Sequence, residues 1–211
     1  MSVVPVPHPR SDTPRLEELG LEESGLLRVV REALVERLSI TANHPVQAGG
    51  YYGWSEAVRA LREWLLPRGW SRLADDGLDL TLSPDGAMAI AVSTGTDSTG
   101  ILGRAASSQS AKGRRTGARV HANAVQLELF DRAAVPAKRA SACATWYLLI
   151  HFDDAAEEMR SELSLPVTVD PDGRLSGFVH RIILSHVPFD DDVNVTFDDD
   201  DDIDFAVDRR A

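Results

Sequence analysis

The stretch Leu78-Asp79-Leu80-Thr81-Leu82-Ser83-Pro84-Asp85-Gly86-Ala87-Met88-Ala89-Ile90-Ala91-Val92 decides the fold. Leu78, Leu80 and Leu82 alternate with Asp79, Thr81 and Ser83, the period-2 pattern of a strand with one buried face. Pro84-Asp85-Gly86 is turn chemistry, and Met88, Ile90 and Val92 resume the alternation. Upstream, Trp70 to Ala74 supplies a strand and Asp76-Gly77 a turn, so residues 70–92 read as a three-stranded antiparallel meander.

Working outward, Leu26, Leu27, Val30, Leu34 and Leu38 recur at helical spacing, with Thr13-Pro14 as a helix start and Gly20 as a break. Residues 40–53 read as a loop. A second helix runs from Trp54 to Leu66, with Val58, Leu61 and Leu65 on one face, and Pro67 and Gly69 ending it. A second meander begins with Thr145 to Phe152. In the next strand Met159, Ser161, Leu163 and Leu165 share one face and Arg160 and Glu162 the other. Pro171-Asp172-Gly173 turns the chain into Phe178 to Leu184. The fold class is therefore α+β: two N-terminal helices, an antiparallel β meander, a flexible basic insert and a second antiparallel meander. The expected divisions are a disordered Pro-rich lead (1–12), an α+β domain (13–103), the insert (104–140), a β unit or second half of the same sheet (141–188) and an acidic tail (189–211).

Composition narrows the function. The chain has 211 residues, a net charge of −11 and one cysteine, so it is not a globally basic nucleic-acid-coating protein and has no intramolecular disulfide. Cys143 between Ala142 and Ala144 reads as a small hydrophobe. No apolar signal segment leads the chain, and its longest apolar run, Ala144 to Ile150, is far short of a membrane span, so a cytoplasmic protein is expected. Twenty Arg against two Lys suggest a GC-rich bacterial genome. The charge is polarised: residues 104–139 carry eight basic and two acidic side chains, whereas the last 25 residues carry ten acidic and two basic.

Within the basic insert stands Gln126-Leu127-Glu128-Leu129-Phe130. Leu127, Leu129 and Phe130 suit hydrophobic pockets, and the Gln126 amide suits their rim. The pentapeptide resembles the motif by which many bacterial proteins bind the replication sliding clamp, Gln-Leu-x-Leu-Phe. Four specified positions match by chance in a chain this long on the order of 1% of the time. The resemblance covers these five residues alone. It implies that Gln126, Leu127, Leu129 and Phe130 contact the β sliding clamp, with Arg114, Arg115, Arg119, Arg132, Lys138 and Arg139 assisting near DNA. A short half-buried strand or helix is the blander reading of the same residues. The chain as a whole resembles proteins carried by mobile elements of high-GC bacteria.

The acidic run Asp198, Asp199, Asp200, Asp201 and Asp202, followed by Ile203-Asp204-Phe205, resembles the acidic tip of bacterial single-stranded-DNA-binding proteins. Asp204 stands where that tip has Pro, and six residues follow Phe205, so the tip's terminal carboxylate is missing. A solvated run, two short strands around an Asp loop, a screen for the basic insert and an acidic DNA mimic are the other readings.

Catalytic signals are weak. Neither a His-Glu-x-x-His, a Gly-x-Ser-x-Gly nor a Walker-type motif occurs. A metal site from His151, Asp153 and His180 is the enzymatic alternative, against strand-end polarity as the simpler account. Gly49-Gly50-Tyr51-Tyr52-Gly53 precedes a helix whose N-terminus suits an anion, but no Lys stands near it in sequence, and a turn with exposed tyrosines is the simpler reading. The expectation is a non-enzymatic clamp-binding protein without metal or cofactor.

Overall fold

The computed structural model describes residues 14–75, 77–131 and 143–190, with the backbone alone for 127–131. The two meanders are parts of one sheet. Its strands are β1 (Ser71–Asp75), β2 (Leu78–Leu82), β3 (Met88–Thr94), β4 (Ala144–Asp153), β5 (Glu158–Val169), β6 (Leu175–Ile183) and β7 (Val187–Pro188). They lie in the order β1-β2-β3-β4-β5-β6, with β7 paired to β5. All neighbours are antiparallel except β3 and β4, which run parallel from Met88↔Ala144 to Thr94↔Ile150. A parallel pair needs a crossover, and the segment between these strands supplies it.

One face carries α1 (Glu23–Leu38) and α2 (Ala48–Leu65). Leu26, Val30, Leu34, Leu61 and Leu65 of the helices meet Met88, Ile90, Trp146, Leu148 and Leu163 of the strands. Each such side chain contributes about 1.5–3 kcal/mol on burial. The helical spacing in the sequence is realised in α1, and a short 3-10 turn, Leu16–Leu19, ends at Gly20 in the left-handed conformation. α2 begins six residues before Trp54, inside the stretch the sequence marks as a loop. Its glycines lower helix propensity, but Gly53 lets the helix approach the sheet: a Cβ there would stand 3.1 Å from Phe152 Cζ and 3.4 Å from the Ala33 carbonyl. Packing overrides propensity at this point.

The other face carries α3 (Arg114–Asp131), the crossover helix. The expectation of a flexible linker between Ala105 and Ala122 is therefore corrected for residues 114–122. The helix buries Thr116, Val120 and Asn123, four and three residues apart, which is a helical stripe made of one apolar and two polar side chains. Hydrophobic periodicity cannot register such a stripe. Beneath it lie Leu80, Ala89, Ala91, Tyr147, Leu149 and Phe178. No helix among the described residues is long and apolar enough to cross a membrane.

Candidate functional site

Asn123 anchors α3 to the sheet. The β4–β5 ladder stops at Tyr147↔Ser164, and the β5–β6 register shifts between Leu165 and Pro166. Pro166 has no N–H to give a ladder. Asn123 fills the break: its Nδ2 donates to the carbonyls of Thr145 (3.0 Å) and Pro166 (2.8 Å), and its Oδ1 accepts from the Thr145 N–H (2.9 Å). One side chain thus stands in for a rung between two strands and pins α3 to both.

Past that pin, the helix carries Gln126, Leu127, Leu129 and Phe130 to its last residue, Asp131. The sequence alone suggested an extended or mobile motif, whereas its backbone is helical here. Gln126 is half-buried, and its Oε1 is shut from solvent with no hydrogen-bond partner among the described residues. The basic flank is partly spent inside the chain: Arg119 donates to Asp75 at 2.8 Å and Arg115 lies 3.7 Å from the same carboxylate. Arg132, Lys138 and Arg139, and the acidic run Asp198 to Asp202, lie outside the described residues.

Further along the α3 face, a charged cluster holds the segment that leaves β3. Glu162 of β5 is fully buried. Its carboxylate accepts from Arg181 Nε (3.0 Å) and Nη2 (2.5 Å), from Ser164 Oγ (2.7 Å) and from the Gly100 N–H (2.9 Å). Arg181 also donates to the Arg104 carbonyl at 2.6 Å. Gly100 has φ +72°, and a Cβ there would come within 2.9 Å of Arg160 Cβ, so only glycine lets this N–H reach Glu162. The segment 100–104, which follows the polar loop, is thereby held at both ends.

Where this loop returns, Lys112 Nζ donates to Ser93 Oγ at 2.6 Å. Ser93 is 4% exposed and its hydroxyl donates in turn to the Thr94 carbonyl at 3.3 Å. The pair is thus an ammonium donating to a hydroxyl, not a serine poised to give its proton to a base. Burial pulls the Lys112 ammonium below its ordinary pKa, and no described carboxylate forms an ion pair with it. Lys112 and Ser93 line an open cleft of about 790 Å³ with Tyr51, Trp54, Gln47 and Gln109. The Trp54 indole is fixed by donating to the Val92 carbonyl at 3.1 Å, and its ring centroid lies 5.9 Å from that of Tyr51.

The residues weighed for a metal are not brought together. His151 lies on the α3 face beside the Gly95 carbonyl, Asp153 pairs with Arg160 at 2.7 Å, and His180 stacks on Trp146 on the α1–α2 face. Among the described residues no three His, Cys, Asp or Glu side chains cluster as metal ligands. Burial pushes the Cys143 thiol up, away from the reactive thiolate.

The cleft was missed because its parts are far apart in sequence. Tyr51 lies near the start of α2, with no Lys near it in sequence, and the lysine arrives from the crossover. The available signal was compositional: in a chain that uses Arg for twenty of 22 cations, Lys112 is one of two side chains chosen otherwise. Comparisons with protein-family models, with curated proteins and with solved structures find no match to this chain.

Proposed function

We propose that this protein is a non-enzymatic cytoplasmic binding protein of a high-GC bacterium or its mobile elements. It docks on the β sliding clamp through Gln126, Leu127, Leu129 and Phe130 and thereby modulates DNA replication or repair. The observation that carries this reading is Gln126. A buried amide oxygen without a partner costs about 1–3 kcal/mol, and docking that pairs it returns that cost. The placement of the motif also favours it. Asn123 holds α3 to the sheet upstream, so residues 126–131 can change conformation on binding without disturbing the strands.

The test is a binding measurement between the purified chain and purified sliding clamps of GC-rich bacteria, with a Leu129→Ala/Phe130→Ala variant. Two apolar anchors lost from pockets weaken binding by at least about tenfold. No binding by the parent chain, or equal binding by the double variant, overturns the proposal.

A further inference from the structure

The cleft that joins α2 to the end of β3 has unused chemistry. An ammonium carries three N–H donors, and Lys112 directs one of them to Ser93 Oγ. A partly desolvated cation with no carboxylate partner among the described residues is an incomplete electrostatic arrangement, which an anion completes. Beside it, Trp54 is locked to β3 and Tyr51 is 60% exposed, so aromatic surface faces the same open space. Gln47 and Gln109 add amide groups at the walls. The volume suits a small molecule rather than a single ion.

We propose that this cleft binds a small flat-ring molecule bearing one anionic group, a phosphate monoester or a carboxylate. The anion sits on Lys112 Nζ and the ring lies against Tyr51 and Trp54. A single cation fits one anionic group, and a fixed indole offers a flat apolar surface with little rotamer entropy left to lose. The Ser93 hydroxyl, already accepting from Lys112, aims the ammonium and is a positioning group. The cleft is formed by residues apart from Gln126 to Phe130, so this inference stands independently of clamp docking.

The experiment titrates the full chain with AMP, phenyl phosphate and benzoate, against adenosine and inorganic phosphate, and follows the Trp54 indole N–H resonance. At least one ring anion is expected to bind saturably, at least about tenfold tighter than adenosine or inorganic phosphate. AMP and phenyl phosphate against benzoate decide between phosphate and carboxylate. Lys112→Met is expected to abolish the preference for ring anions over adenosine, with circular dichroism checking its fold. Tyr51→Ala, at an exposed position, is expected to weaken every ring ligand and leave inorganic phosphate unchanged. The proposal is overturned if no ring anion binds at up to about 10 mM. It also falls if adenosine binds as well as AMP, or if a folded Lys112→Met variant keeps the preference.

Discussion

Replacing Asn123 with leucine tests the surrogate rung between β4 and β5. The wild-type amide makes three hydrogen bonds, two donated at 3.0 and 2.8 Å and one accepted at 2.9 Å, to groups that are all buried. Leucine keeps the volume and removes all three, stranding the Thr145 N–H and the carbonyls of Thr145 and Pro166. At about 1 kcal/mol net per bond, rising toward 1–3 kcal/mol for a stranded group, the loss comes to about 3–5 kcal/mol. For a chain of this size that lowers Tm by about 6–20 °C. Urea unfolding measures the free energy, and an unchanged slope assigns it to the native state. Amide exchange at Thr145 should quicken by the same free energy. Val125, 42% exposed on the same helix, is the control, and Val125→Ala should stay within about 0.5 kcal/mol of wild type. A loss under about 1 kcal/mol for Asn123→Leu, with Thr145 exchange unaltered, would refute the rung.

Glu128→Pro, at the variable position of the motif, destabilises the last turns of α3 by up to about 3 kcal/mol and biases Leu127 toward extended backbone. If the clamp takes the motif extended, binding tightens several-fold in a calorimetric titration; weaker binding means the motif is read as a helix. Arg181→Met leaves Glu162 buried and unpaired and is expected to cost about 3–5 kcal/mol by denaturant unfolding. Adding Glu162→Leu should recover part of that loss, and a double variant worse than the sum contradicts the pairing. Burial raises Tyr147 to about 12, and its hydroxyl sits beside Thr116 without a hydrogen bond of normal geometry. The raised value means Tyr147 supports the fold below pH 10 and loses that support as pH climbs toward 12, because the unfolded phenol ionises first. Tyr147→Phe is expected to leave stability at pH 7 nearly unchanged and to flatten this alkaline fall; equal alkaline slopes in both proteins count against it.

What the sequence made legible was whatever used one period on one face. The alternation of Leu78, Leu80 and Leu82 and the spacing of Leu26, Val30 and Leu34 both specify the elements the structure contains, because each buries a plain apolar stripe. α3 escaped because two of the three residues of its buried stripe, Thr116 and Asn123, are polar, and Asn123 is matched to carbonyls and an N–H of the strands rather than to apolar side chains. The start of α2 escaped because Gly53 serves a contact with Phe152 that no local window contains. Arg160 and Glu162 share the face opposite Met159 and Leu163, as the alternation predicts, but the alternation does not say what covers that face. The return of residues 95–104 over that face makes them interior.

The parallel seam between β3 and β4 sets how this chain can fold. Strands β1 to β3 are joined by tight turns and can meet early, as can β4 to β6. The seam pairs Met88 with Ala144 and Thr94 with Ile150, so it closes only after the whole crossover has been gathered in. Loop closure over that separation is entropically costly and raises the contact order of the native state. During synthesis the first hairpins would therefore wait, with the open edge of β3 exposed, until the ribosome has delivered the partner strand; that interval is when the nascent protein is most exposed to misassembly.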